Sequence, residues 1–368
     1  MTSFSQQGQT PCLFDTPNLW IEGAATAQLQ QVANLSGVVK TLGFPDLHPG
    51  RFGPVGMAAL ADRLYPQLIG GDIGCGMTVF KLDLPARKFK IDKALRRLSG
   101  FDTPMDEHEA KACLTDTELE NHRDTLWQGC GSLGGGNHFW EIMKTVDNTS
   151  PVQDADLFLM VHTGSRGHGQ AAWMRAKNGP SWNEGWSSDS EHAQRWLAEH
   201  NRLVLWAKLS RQAIAKRLAE TLRCDVELVC CSPHNLVEQH DGLWLHRKGA
   251  AKRTTPFTPV AGSRDTETLW VARGENPALQ SLPHGCGRKR DRGAQNARTR
   301  SGRKDRDAMS RNRFGGHVVC ANKNALIEES GDAYKSPAQI EAAITAHKLG
   351  QVVARLQPLL TWKTEHST

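Results

Sequence analysis

The 368-residue chain has no run of about 18 apolar residues, so nothing in it reads as a transmembrane helix. Its start, Met1 to Thr10, has neither the basic opening nor the apolar centre of a secretory signal. Nine cysteines, an odd number in a long chain, argue against a disulfide scaffold, and free thiols fit a reducing compartment. These absences set the expectation of a cytoplasmic protein with no membrane partner. No CxxC pair is present, which excludes compact zinc-finger spacing, and there is no HExxH helix. Ser165 has no GxSxG elbow around it, so a hydrolase nucleophile is not expected there. Gly129-x-Gly131-x-x-Gly134 matches the dinucleotide pattern, but Asn121 to Gln128 before it is not a strand, so no Rossmann site is expected. No internal repeat is evident.

What the chain does have is a dense basic tract. The formal net charge is only +6, yet Arg288 to Arg313 carries eleven Lys or Arg against three Asp. Such a block suits a polyanion such as RNA or DNA, and it also suits a solvated loop. A hydrophobic content of 39% is below the usual globular share but enough for a substantial core. The 34 glycines cluster around charged and histidine-bearing segments, as expected for close-approach backbone.

Local patterns place several elements. Val32 to Gly56 fits strand and loop better than helix, because Pro45, Pro49 and Pro54 interrupt it. Met77 to Leu82 and Val226 to Cys230 have strand composition, and Asp156 to Val161 is a candidate buried strand that delivers His162 at its end. Phe89 to Leu98 predicts a short helix. His192 to Leu222 predicts a long one, with Trp196, Leu203, Trp206, Leu209, Ala213 and Leu218 on its apolar side. Ser336-Pro337 predicts a helix start, with the helix running on to Leu356.

Five candidate metal ligands sit in turn-like segments or at strand ends: Asp72, Cys75, His138, His162 and His234. Thiolate and imidazole favour borderline or soft divalent ions, and carboxylate widens the choice to manganese or iron. The thiolate of Cys75 is able to bridge two ions. The competing view is that each histidine is an ordinary structural group. Cys75 as a nucleophile is a further alternative, weakened by its acidic neighbour Asp72. Gly134 to Asn137 and Gly164 to Gly167 are candidate anion-binding turns, with Arg166 adding charge. His284, in His-Gly-Cys-Gly-Arg, is a histidine beyond those needed for the metal.

Taken in order, these segments resemble the RtcB family of RNA-splicing ligases. The resemblance rests on Pro45-Asp46-Leu47-His48, Asp72 to Met77, Gly135 to Phe139, His162 to Gly167, Pro233-His234-Asn235, Gly262-Ser263, His284 to Arg288, Ala333-Tyr334-Lys335 and Lys363. It implies a GTP- and manganese-dependent enzyme that joins RNA bearing a 2′,3′-cyclic phosphate or 3′-phosphate to RNA bearing a 5′-hydroxyl, in RNA repair or tRNA splicing. By that resemblance Asp72, Cys75, His138, His162 and His234 hold two manganese ions, with Cys75 bridging. His284 becomes a histidine–GMP adduct and Asp46 orients it. Asn137, Phe139, Glu141, Ser263, Arg288, Tyr334 and Lys363 match the guanylate pocket. Arg166, Lys289, Arg290 and Arg292 are candidate phosphate or RNA contacts. An accessory RNA-repair protein is a further candidate partner. Two readings compete with the ligase: a metal-dependent phosphodiesterase or phosphatase acting on RNA ends, and a non-catalytic RNA- or ribosome-associated protein.

The chain departs from the family pattern after its histidine motif. Cys286 stands where the family usually has alanine, and Met309-Ser310-Arg311 follows only after the twenty residues Lys289 to Ala308. The expectation is a compact, divergent branch with a basic flap at 289–308 over the RNA path. The expected architecture is α+β: an N-terminal segment 1–30, flexible at its start, and one mixed catalytic domain 31–368 with a central metal and guanylate site.

Overall fold

A computed structural model describes residues 10–101, 103–148, 156–289 and 309–363. The chain opens with strand β1 (Cys12–Leu13), helix α1 (Gly23–Ala33) and strands β2 (Val38–His48), β3 (Val55–Ala61) and β4 (Gly76–Leu82). Four short helices follow: α2 (Ile91–Arg97), α3 (Glu107–Cys113), α4 (Thr117–Glu120) and α5 (Arg123–Leu126). Next come β5 (Phe139–Asn148), β6 (Leu157–Thr163), α6 (Arg166–Lys177) and the 32-residue α7 (Glu191–Leu222). A run of strands then spans β7 (Val226–Pro233), β8 (Asn235–His240), β9 (Leu243–Lys248), β10 (Ala250–Lys252), β11 (Thr258–Val260), β12 (Thr268–Arg273) and β13 (Ser281–Pro283). The last elements are β14 (His317–Val319), α8 (Lys323–Glu328), α9 (Pro337–Ala346) and β15 (Gly350–Trp362).

The strands form two principal sheets and a small ribbon. The first sheet has the order β1-β2-β3-β9-β8. The second runs β11-β12-β15-β5-β6-β4-β7, with β14 added beside β15. The ribbon pairs β10 with β13. Pairing is antiparallel except where β1 meets β2 and β14 meets β15. The architecture is a mixed α+β single domain. The boundary expected at residue 30 falls inside α1, whose Leu29 and Val32 are buried in one core with Leu47, Met57 and Tyr65.

Helix α7 covers one face of the larger sheet. Ser190 caps its start by accepting the Ala193 amide, and Arg223 ends it in a left-handed turn. Its Ile214, Leu218 and Leu222 pack with Phe80, Leu159 and Val161 from β4 and β6. A buried turn of leucine is worth roughly 2 kcal/mol per side chain relative to exposure, so this face fixes the helix on the sheet. Among the described residues no helix is long and apolar enough to cross a membrane.

One sequence expectation needs correcting. The helix that starts at Ser336, with a full capping box to Gln339, stops at Ala346 and does not run to Leu356. Lys348 takes a positive φ of 54°, the chain reverses, and Gly350 opens β15. There Val352 and Val353 favour strand, and the pairing with β5 and β12 on both sides outweighs any helical tendency.

Candidate metal and nucleotide site

The ends of β4, β5, β6 and β7 meet at one edge of the larger sheet, and each delivers a polar side chain. Cys75 immediately precedes β4, His138 immediately precedes β5, His162 lies near the end of β6, and His234 follows β7. Antiparallel register brings them together: Met77 lies opposite His162, Phe139 is also opposite His162, and Gly76 is opposite Pro233. Cys75 Sγ is 3.3 Å from His162 Nε2 and 3.6 Å from His138 Nε2. His162 Nε2 is 3.3 Å from His234 Nε2, and Asp72 Oδ2 is 2.8 Å from His138 Nε2. Two ligand groups result, Asp72–Cys75–His138 and Cys75–His162–His234, each with its donor atoms within 4.8 Å of one another. Cys75 belongs to both.

The donor chemistry fits a divalent cation. Burial, reinforced by Asp72, pushes the Cys75 thiol well above its usual value. Burial, and then the neighbouring charged groups, His284 among them, hold His162 and His234 well below theirs, so both rings are neutral. Burial opposes ionisation of Asp72, but His138 and the hydrogen bonds around the carboxylate outweigh it and lower its pKa. A thiol that resists ionisation until a cation arrives, beside two neutral imidazoles and a carboxylate, is a borderline-metal donor set. His138 Nδ1 donates to the Leu133 carbonyl at 3.1 Å, which points Nε2 inward.

His284 stands beside this cluster, its ring centroid 4.8 Å from that of His234. Its Nδ1 is 2.6 Å from Asp46 Oδ2, and its backbone amide donates to the same oxygen at 3.0 Å. Asp46 is fully buried in β2. Lys335, also buried, donates to the Pro45 and Leu47 carbonyls on either side of it, at 2.8 and 2.9 Å. Burial lowers the Lys335 pKa to about 8. Gly287 has a φ of 68°, and a Cβ there would lie 2.2 Å from the Asp46 carbonyl oxygen. The two segments therefore touch backbone to backbone, as only glycine permits.

A cavity of about 630 Å³ joins these parts. Asp72, Cys75, His162, His234 and His284 line one part of it, and Asn137, Phe139, Glu141, Ser263, Arg288, Tyr334 and Lys363 are among the residues that line the rest. Phe139 packs edge-on against the His162 ring. Asn137 is exposed at the rim. Ser263 Oγ pairs with Thr266 Oγ1 at 3.1 Å. Glu141 is buried, receives a hydrogen bond from Thr361 at 2.5 Å, and is raised to about 8 by burial. Arg166 opens α6, its amide 3.3 Å from Asp72 Oδ1, and its buried Nη1 has no hydrogen-bond partner. Its guanidinium lies against Gly134, where a Cβ would collide with it. Lys289 donates its amide to Ala333. Arg290 and Arg292, with the rest of the basic tract 290–308, lie outside the described residues.

Sequence reasoning missed two polar residues. Glu329 faces Arg288 at 3.3 Å and Lys363 at 3.7 Å, and it accepts the Tyr334 hydroxyl. Arg211, from the middle of α7, reaches the backbone behind the candidate metal ligands. Neither lies in a recognisable motif, and Arg211 has the sequence look of a surface residue on a charged helix. The acidic pair Glu328-Glu329 just before Ala333-Tyr334-Lys335 was the available signal for the first.

The sequence matches the family profile described as "RtcB: tRNA-splicing ligase RtcB" over residues 28–103 and 98–364. The chain belongs to the RtcB family of RNA-splicing ligases. It is 36% identical to "RNA-splicing ligase RtcB2" of Escherichia coli (strain ATCC 25922), over 94% of this chain and 93% of that protein. It is 25% identical to the "tRNA-splicing ligase RtcB" of Thermococcus kodakarensis, over 90% and 89% of the two chains. A third RtcB relative, from Escherichia coli K12, is 24% identical over 95% of this chain and 96% of its own. Membership makes the protein, in general terms, an enzyme of the RNA-ligase class, and the cavity holds the segments on which the RtcB resemblance rested.

Proposed function

We propose that the protein is a GTP- and manganese-dependent RNA ligase. It joins 2′,3′-cyclic phosphate or 3′-phosphate ends to 5′-hydroxyl ends through a histidine–GMP intermediate, in cytoplasmic RNA repair or tRNA splicing. The observation that carries this reading is the Asp46–His284 pair, 2.6 Å apart, set beside ligand groups that share Cys75.

The geometry supports the roles that the family resemblance implies. Asp46 accepts the Nδ1 proton of His284, which leaves the Nε2 lone pair available for attack. Nε2 bonds to the α-phosphorus of GTP, the α–β phosphoanhydride breaks, and pyrophosphate leaves. Positive charge that develops on the imidazole is held by Asp46. A cyclic RNA end is first opened by water to a 3′-phosphate. An oxygen of that phosphate then displaces His284 from the guanylate, and the 5′-hydroxyl of the second RNA displaces GMP. Two manganese ions would be held by Asp72, Cys75, His138, His162 and His234, where they would neutralise charge on phosphate oxygens.

Glu141 is suited to the guanine edge, with Thr361 fixing its carboxyl group. Tyr334 offers a stacking ring, and Asn137, Phe139, Ser263, Arg288 and Lys363 enclose the remaining space. Arg166 is suited to phosphate through its unpartnered Nη1. Lys289, with Arg290 and Arg292, serves the RNA backbone.

The test is to incubate the protein with α-labelled GTP and Mn²⁺ and compare it with His284→Ala. The unaltered protein retains label after denaturation and the variant does not. Label on another residue of the variant would overturn the assignment of the nucleophile. Addition of RNA ends then separates joining from hydrolysis.

A further inference from the structure

Arg211 is buried to 1% exposure at the centre of α7, and among the described residues no carboxylate lies within ion-pair distance of it. A guanidinium in such a place needs strong acceptors. It finds them on the segments that carry the metal ligands. Nη1 donates to the Gly74 carbonyl at 2.9 Å and to the Thr163 carbonyl at 2.6 Å. Gly74 directly precedes Cys75, and Thr163 directly follows His162. Nε donates to Thr78 Oγ1 at 2.7 Å, and Nη2 approaches Cys231 Sγ at 3.6 Å on the strand that leads to His234.

The network extends further. Thr163 Oγ1 donates to the Leu133 carbonyl, the same oxygen that fixes His138 Nδ1. The helix also presses directly on the Cys75 loop: Gly74 has a φ of 72°, and a Cβ there would lie 2.8 Å from Val204 Cα. One side chain thus sets the spacing of segments that bear Cys75, His162 and, through Thr163, His138.

We propose that Arg211 is the positioning residue of the metal centre, holding the Cys75 and His162 segments at the separation that a bound divalent cation requires. The inference rests on the metal reading given above. A planar fork that serves four acceptors on three strands and a loop cannot be reproduced by an ammonium group. Cys231 fits the scheme as the sulfur that faces the guanidinium: burial opposes its ionisation, but the Arg211 charge, hydrogen bonds from Thr78 and Arg211, and the Lys208 charge together outweigh burial and lower its pKa.

The test uses the full chain and Co²⁺ as the probe, followed through sulfur-to-cobalt charge-transfer absorption. Arg211→Lys and Arg211→Met are compared with the unaltered protein. Their cobalt affinity is expected to fall by about 10- to 100-fold, the usual effect of removing an outer partner of metal ligands, with a shifted absorption band. A merely architectural arginine would lower the melting temperature of the metal-free protein and leave cobalt affinity and band position unchanged in the folded fraction. That result overturns the proposal. If neither variant folds, Cys231→Ser probes the same network. Weaker cobalt binding in that variant supports the proposal, and unchanged binding overturns it. No charge-transfer band in the unaltered protein would instead sink the metal reading itself.

Discussion

The two ends of the cavity are built on opposite principles. At the metal end, like groups face one another: two neutral imidazoles meet at 3.3 Å, and a thiol that resists ionisation sits against both a third imidazole and the pair. The Nδ1 atoms of His162 and His234 are buried without hydrogen-bond partners. At the end proposed to take the nucleotide, opposite groups already pair: Glu329 faces Arg288 and Lys363 and accepts the Tyr334 hydroxyl. The first end is arranged to be completed by something that arrives. At the second, charges of opposite sign already face one another, so a ligand that takes Arg288 or Tyr334 must exchange partners with Glu329. On the proposed reading, affinity at the metal end would be set by how well the protein holds its ligands apart, and at the nucleotide end by what the protein gives up.

The most severe way to break this contrast is at the shared atom. Cys75→Ala removes a donor from both ligand groups, so bound manganese, measured by elemental analysis after gel filtration, is expected at background, with no guanylate adduct. Full occupancy in that variant would end the bridging role. Next in size is Asp46→Asn, which stabilises the wrong tautomer of His284. Adduct formation is expected to slow by roughly 10⁴-fold, the scale seen when the orienting acid of a triad is amidated. Manganese content should stay unchanged, which separates the nucleophile from the metal end.

Glu141 gives a pH-dependent test of the nucleotide end. Burial raises it from 4.5 to about 8, so the folded protein keeps a proton that the unfolded chain has lost. Its contribution to stability therefore falls as pH rises from about 4.5 to about 8 and is level above that. Glu141→Gln removes this dependence. Without nucleotide, the variant is expected to gain roughly 4 to 5 kcal/mol more relative to the unaltered protein at pH 8.5 than at pH 4, measured by urea unfolding. An equal difference at both pH values would show that the carboxyl group is hydrated. The smallest effect is expected from Glu329→Gln, which weakens the grip on Arg288, Tyr334 and Lys363. The KM for GTP should fall by about tenfold, the effect of roughly 1.4 kcal/mol, because a ligand has less to displace, with manganese affinity unchanged. An unchanged KM would make the Glu329 pairing incidental.

How much was legible in the sequence differs between elements for physical reasons. Helix α7 and strands β4, β6 and β7 could be read because their apolar periodicity is local and uninterrupted. The start of α9 could be read from Ser336-Pro337, but its end could not, because no glycine appears before Gly350 and the turn at Lys348 depends on packing. Sheet order was closed to sequence reasoning. β5 and β15 pair Glu141 with Thr361, positions 220 residues apart, and no local signal encodes that. The ligand residues stood out because they sit in glycine-rich turns, and the RtcB resemblance gave them roles. Arg211 and Glu329 act through contacts that only the fold creates.

Strand β15 sits between β12 and β5 inside the larger sheet, although it comes last in sequence among the described strands. Its final residues carry Thr361 to Glu141 and place Lys363 near Glu329. The growing chain therefore cannot close this sheet, or finish the nucleotide end of the cavity, until synthesis has passed residue 363. Before then β5 and β12 present open edges to each other across a gap, a state prone to sticking to other unfinished chains. Closure of the sheet and completion of this part of the cavity therefore both wait on the same strand.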